Sequence, residues 1–342
     1  MVTKTKVKKT WNIIIKIFIV VAAYGFLYYQ LFHEKKAGHI LRALDMYSGS
    51  TRIFYTLVIV VLLMLVNWSI ESFKWRYLLK KEESVSFLRS FKAVFAGLTV
   101  SIFTPNRTGE FLGRVFILRK TNPWRAIFIT IVGSYSQLMV TLIIGYVSFV
   151  IFAHRFLINE LFFSEYLFYA IAVFLGVIIL LLFLLYLNVR ILDPVLNKLI
   201  NSRWKKLGQY FSVFSRLDTS LLIKVFGLSL IRYFVFSFQF ILLLKAFNVP
   251  VNVFQGLMLI SVMYFIMTAI PAVTLAELGI RGSVTISIFR MFLEETGLFT
   301  EVVKFGVFSA SSGLWLVNLA LPALIGTIFV FQLRFFKKRN NS

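Results

Sequence analysis

The sequence predicts an all-α polytopic membrane protein: six full-length spans plus two re-entrant helical hairpins, arranged as an inverted-topology repeat. Three observations predict it. Hydrophobic residues make up 59% of the chain and charged residues 15%, against about 45–50% and about 25% in a soluble domain. Apolar runs of roughly 20 residues, the length that crosses a bilayer, recur along the whole chain. A short charged pattern also occurs twice at matching points: Pro105, Glu110 and Arg114, then Pro271, Glu277 and Arg281.

Six segments qualify as spans: 11–32, 52–73, 125–152, 165–189, 221–245 and 303–333. The first is too long for a signal-peptide core and lacks a small-residue cleavage site, so it is expected to be retained. Segment 87–104 ends differently, in Thr104-Pro105-Asn106-Arg107-Thr108-Gly109-Glu110, and its short return, 109–120, carries Glu110, Arg114 and Arg119. Segment 254–270 meets Pro271, and its return, 274–290, carries Glu277, Arg281 and Arg290. Both hairpins, 87–120 and 254–290, are expected to be pairs of half-helices, with two short crossings as the alternative. Irregular backbone at mid-membrane is tolerated only where it lines a cavity or is buried in protein. The order helix, helix, hairpin, helix is then read twice, as pseudo-repeats 11–152 and 165–333 of a single transmembrane domain, 1–342. The first begins inside and the second outside, a transporter architecture.

The net charge is +23. In a soluble protein this would suggest nucleic acid; here the cations collect in loops of one side. Segments 1–10, 72–92, 119–125, 190–218 and 333–342 hold 23 lysines and arginines, and 33–52, 153–166, 245–254 and 290–304 hold 8. The bias puts both termini in the cytoplasm and leaves no role for nucleic acid. Cysteine is absent, which excludes disulfides and thiolate metal sites. His33, His39 and His154 fall in predicted loops without a ligand spacing, so no metal and no cofactor are expected. No Gly-x-Ser-x-Gly, Walker A or His-Glu-x-x-His motif occurs.

Within each hairpin the glutamate lies four residues before the arginine, on one helix face and in the favourable order for an ion pair. Asn106 or Thr108 is placed to cap the first return. Thr274 and Glu277 have the spacing of a capping box. A charge at mid-membrane costs on the order of 2.5–3.5 kcal/mol, so Arg107, Glu110 and Arg114 must be paired or wet. Capping and local ion pairing explain each pair taken alone. The repetition argues for a built site, in which half-helix N-termini and arginines face a phosphate. Arg107 has Glu110 as its only local partner. Asn67, Glu71, Gln137, Arg232 and Gln239 are weaker candidates for the same cavity, because interhelical hydrogen bonding commonly accounts for such residues.

At these residues the chain resembles the lysylphosphatidylglycerol synthase transmembrane (flippase-like) family. Pro105-x-Arg107-x-Gly109-Glu110 is similar to that family's Pro-x-Arg-x-Gly-Glu motif. Lys74-Trp75-Arg76-Tyr77-Leu78-Leu79 is similar to its Arg-Trp-x-x-Leu-Leu stretch, and Leu278-Gly279-Ile280-Arg281 to its Leu-Gly-Val-Arg element. Ala276 and Glu277 stand where the family is usually glycine-rich, and Gly282 where it has a glutamate. The resemblance spans roughly residues 10–335. It implies a lipid-translocating module, here without the family's cytosolic aminoacyl-transfer domain.

The expectation is a flippase of the bacterial inner membrane that moves a phosphate-containing (amino)lipid through a midplane cavity. Arg107, Glu110, Arg114, Glu277 and Arg281 would bind the substrate, supported by Pro105, Asn106, Thr108, Gly109, Pro271, Thr274 and Gly279. Its partners would be phospholipid or prenyl-phosphate lipid, with a separate lipid-modifying enzyme and a second copy of the chain as further candidates. Two alternatives stand beside it. One is a non-transporting partner of an envelope glycosyltransferase or lipid-modifying enzyme. The other is a membrane enzyme acting on a lipid phosphate, which two glutamates without histidine or an aspartate-rich motif serve poorly.

Overall fold

A computed structural model describes residues 50–102, 104, 108–118, 120–156, 164–199, 210–270 and 274–331, with isolated positions between 11 and 25. Most of the first expected span, 11–32, lies outside the described residues, as do Pro105, Asn106, Arg107, Arg119 and Pro271. All regular structure among the described residues is helical.

The first described helix, α1 (Thr51–Leu79), is followed by α2 (Phe87–Ser101) and the short α3 (Gly109–Val115). Then come α4 (Pro123–Phe156), α5 (Glu165–Leu187) and α6 (Leu192–Leu199). The second half holds α7 (Thr219–Ala246), α8 (Val253–Ala269), α9 (Thr274–Glu294) and α10 (Glu301–Trp315). A π-helical turn, Leu316–Ala320, leads into α11 (Leu321–Val330). Five helical stretches are long and apolar enough to cross a membrane: α1, α4, α5, α7 and the continuous run 301–330. They answer to five of the six expected spans. α1 runs beyond the expected 52–73 because Lys74 and Trp75 find buried partners: Lys74 bonds Glu71 at 2.7 Å, and Trp75 Nε1 donates to Thr130 Oγ1 at 2.9 Å.

Ion pairs and hydrogen bonds fix which ends lie together. At one end, Glu82 just after α1 meets Arg125 of α4 at 3.5 Å and Arg216 before α7 at 2.9 Å. Asp218, the N-cap residue of α7, pairs there with Lys81 and Arg190. Glu83 accepts from the Lys120 and Thr121 amides at 2.7 and 2.9 Å, holding the chain that enters α4. At the opposite end, Arg52 of α1 donates to the Lys245 carbonyl at 2.9 Å. There too Arg155 of α4 pairs with Glu295, just past α9, at 3.1 Å.

The hairpin α2–α3 therefore opens at the first end and α8–α9 at the opposite one. Ile102, where α2 stops, shares a small apolar cluster with Leu278 in the first turns of α9, together with Trp315 and Leu319. At 1.5 Å per residue α2 reaches about 22 Å and α3 about 10 Å, short of a hydrocarbon core of about 30 Å. The arms of the second hairpin are longer, 17 and 21 residues. Its return is thus a full helix of about 31 Å, not a half-helix.

The arms of the first hairpin touch through glycine. A Cβ on Gly113 would lie 2.5 Å from the Gly97 Cα, and one on Gly109 2.5 Å from the Val100 carbonyl. On the other side of α2, a Cβ on Gly326 of α11 would meet the Phe95 carbonyl at 2.2 Å, and Thr99 Oγ1 donates to the Ala323 carbonyl at 2.7 Å. Small-residue contacts of this kind suit helices packed in lipid, where close backbone approach replaces the hydrophobic effect as the driving force. The π-turn has a local cause. Pro322 has no N–H to offer the carbonyl four residues back, at Asn318, so the ladder takes up one extra residue.

Candidate functional site

Both expected pairs form. Arg114 bonds Glu110 within α3, and Arg281 bonds Glu277 at 2.7 Å within α9. Their surroundings differ. The Arg114 side chain is only 1% exposed, and its second nitrogen donates to Glu71 of α1 at 2.8 Å. Glu71 also takes Lys74 at 2.7 Å and Arg232 of α7, while Arg232 Nε donates to Asn67 Oδ1 at 2.8 Å. One buried carboxylate thus gathers three cations from three helices.

Within this cluster, Lys74, Arg114 and Arg232 face Glu71 and Glu110, leaving one formal positive charge in excess. The chain folds this way because every cation has a carboxylate to desolvate against. Buried charge is tolerable only when paired and hydrogen-bonded. Lys74 Nζ also lies 3.4 Å from Ser229 Oγ, which in turn donates to Ser136 Oγ at 3.1 Å.

A cavity of about 550 Å³ lies beside the cluster. The Arg232 guanidinium sits 5.0 Å from the Trp68 ring and 5.6 Å from the Phe236 ring. Both rings line the cavity, so they form the wall between it and the ions. Glu277 and Arg281 line it as well, and Thr268, Ala269 and Ile270 of the second hairpin's tip also contribute to the lining. Thr268 and Ala269 are exposed.

The structure therefore divides the candidates. Glu277 and Arg281 line the cavity; Glu110 and Arg114 are absent from its described lining and belong to the Glu71 cluster. Gly109 is a packing position, and its amide donates to Thr104 Oγ1 at 2.8 Å. Thr104 thus accepts from the first amide of α3, while Asn106, one of the two expected caps, lies outside the described residues. Thr108 occupies the N-cap position with its backbone already helical (φ −60°, ψ −25°) and makes no side-chain cap bond, because its hydroxyl is not offered the extended geometry that a cap needs. Gly279 follows Leu278 on α9 and is half-buried. The Thr274 side chain, like Pro105, Asn106, Arg107 and Pro271, lies outside the described residues.

The family model for the lysylphosphatidylglycerol synthase TM region matches residues 13–309. The chain belongs to that family. A comparison with curated proteins and one with solved structures returned no match. Membership of this lysylphosphatidylglycerol synthase TM-region family agrees with the apolar helices and ties the chain to lipid-related work in a membrane.

From the sequence, Asn67, Glu71 and Arg232 are weaker candidates than the hairpin residues, and Lys74 falls within the basic segment 72–92. Asn67, Glu71 and Lys74 nevertheless follow one another at spacings of four and three, a polar stripe on one face of an apolar helix. That stripe was the available signal. The partners of Glu71 lie 43 and 161 residues away in the chain, which no local spacing encodes.

Proposed function

We propose that this chain is a lipid transporter of the bacterial inner membrane. It moves a phosphate-containing lipid, aminolipids included, with the headgroup in the cavity and the acyl chains in the bilayer. One observation carries the reading: a cavity among the apolar helices lined by the Glu277–Arg281 pair at the tip of a hairpin, with a second hairpin opening the other way. Arg281, together with Arg107, serves the phosphate, and Glu277 balances Arg281. Arg114 and Glu110 hold the first hairpin to α1 and α7 through Glu71. The two hairpins belong to inverted repeats, 11–152 and 165–333. The excess of lysine and arginine supports cytoplasmic termini and a first hairpin that opens to the cytoplasm.

The test is transbilayer movement of fluorescent phospholipids in proteoliposomes. Wild-type protein is expected to accelerate it. Arg281→Ala and Arg107→Ala are expected to abolish the gain while the protein stays folded and monodisperse, with a lower melting temperature for Arg281→Ala because the buried Glu277 loses that ion pair. Failure of the wild type to accelerate any lipid tested would falsify the transport reading and favour a non-transporting partner of an envelope enzyme.

A further inference from the structure

The stretch Lys74-Trp75-Arg76-Tyr77-Leu78-Leu79 closes α1 with two faces. Lys74, Trp75, Leu78 and Leu79 are buried, Lys74 in the ion cluster and the other three in the core. Arg76, Tyr77 and, one turn beyond, Lys80 are exposed. Neither the cavity nor the Glu71 cluster uses any of these three. The two cations differ from their neighbours. At the same end of the bundle Lys81, Arg125, Arg190 and Arg216 are each bound to Glu82 or Asp218, and Arg89 approaches Glu83 at 4.0 Å. Arg76 and Lys80 have no ion pair among the described residues. The undescribed stretches 200–209 and 332–342 contain no aspartate or glutamate that could supply one.

Four residues apart, Arg76 and Lys80 share one helix face, about 6 Å from each other along the axis. Toward the middle of α1 the same face turns apolar. Phe73, Val66 and Leu62 follow one another there, all between 42% and 56% exposed. Phe73 stacks on Phe87 of α2 at 4.4 Å, and Leu88 next to it is exposed, so the start of α2 widens the apolar strip. Tyr77 lies at the border, with the apolar ring and polar tip that suit a membrane–water boundary. Two cations, a tyrosine and an apolar column thus follow in the order of a phospholipid's phosphate, ester region and acyl chain. A soluble anion would meet the cations and leave the column bare. A zwitterionic headgroup would set its own cation against Arg76 and Lys80.

We infer that this face of α1 holds an anionic phospholipid, with its phosphate on Arg76 and Lys80 and an acyl chain along Phe73, Val66 and Leu62. The site is separate from the cavity and stands whether or not the chain transports lipid.

The chain lacks cysteine, so Val66→Cys accepts a single fluorescent label. Val66 lies ten residues from Arg76, about 15 Å along the helix, at the depth of the acyl chain. The labelled protein is placed in phosphatidylcholine vesicles, into which phosphatidylglycerol or phosphatidylcholine with brominated chains is titrated. Bromine quenches the label on contact. Each cation near the surface favours an anionic lipid by roughly fivefold. Brominated phosphatidylglycerol is therefore expected to reach half-quenching at a mole fraction at least tenfold lower than brominated phosphatidylcholine. Arg76→Gln and Lys80→Gln should each raise that fraction roughly fivefold, and the double variant should remove the preference. Melting temperatures should not change, because neither side chain holds an ion pair to lose. A label at Leu184→Cys, an exposed position of α5, should show no preference.

Equal quenching by the two lipids at Val66 overturns the inference, as does a preference that survives in the double variant. An equal preference at Leu184 also overturns it, since the whole basic end would then attract anionic lipid without a site. Loss of the preference when inorganic phosphate replaces chloride at constant ionic strength would assign the cations to a soluble anion and overturn the lipid assignment.

Discussion

Glu71→Gln is the most informative single substitution in the ion cluster. The change keeps shape and removes one charge. Three cations, Lys74, Arg114 and Arg232, lose their shared acceptor, and the formal excess among the clustered side chains rises from one to two. Arg114 and Lys74 are each 1% exposed in their side chains, so water does not replace the lost partner. Breaking a buried pair by removing one member costs about 3–5 kcal/mol. At about 2 °C per kcal/mol for a chain of this size, the melting temperature should fall by roughly 6–10 °C. Tryptophan fluorescence during heating in a mild detergent measures it. Glu110→Gln is the comparison: its side chain is 17% exposed and bonds Arg114 alone in the cluster, so a smaller fall is expected. The double variant Glu71→Gln/Lys74→Met restores the original excess of charge. It should recover part of the loss, a coupling that additive effects exclude. A Glu71→Gln protein that melts within about 2 °C of wild type, or no lower than Glu110→Gln, would refute the view that the cluster holds three helices together.

Three other outcomes follow from packing and loop anchoring. Gly113→Ala places a Cβ 2.5 Å from the Gly97 backbone and should sharply reduce folded protein, read as monodisperse yield on size exclusion. Gly227→Ala, with nothing within 4 Å, should match or exceed wild type by about 0.5–1 kcal/mol in thermal stability. Glu83→Ala removes the acceptor of the Lys120 and Thr121 amides. It should expose the 118–122 connection to limited trypsin digestion, with cleavage after Lys120 at least several-fold faster than in wild type.

Much of the fold was legible because the bilayer imposes a simple rule on sequence. Runs of about 20 apolar residues can satisfy their backbone only as helices, and five of the expected runs are found within a few residues at most ends. Glu110 with Arg114 and Glu277 with Arg281 were readable because a spacing of four is local geometry. Their different fates were not. Whether an arginine faces a cavity or another helix depends on what arrives from far along the chain, and Glu71 arrives at Arg114 from 43 residues away. The end of α1 is hidden in the sequence for the same reason: Lys74 resembles a loop cation until Ser229, 155 residues on, is beside it. Thr104 lies before the proline, five residues ahead of Gly109, yet its hydroxyl accepts from the Gly109 amide.

The π-turn at 316–320 lets one helical run face two partners. One extra residue rotates everything after it by about 100° relative to an unbroken α-helix. Before the turn, α10 presents its small-residue face to α7 and α9; after it, α11 presents Gly326 and Ala323 to α2. A single rod is thereby keyed to one hairpin with its front half and to the other with its back half. Deleting one residue from the turn would point Gly326 away from Phe95 and break the run's contact with the first hairpin.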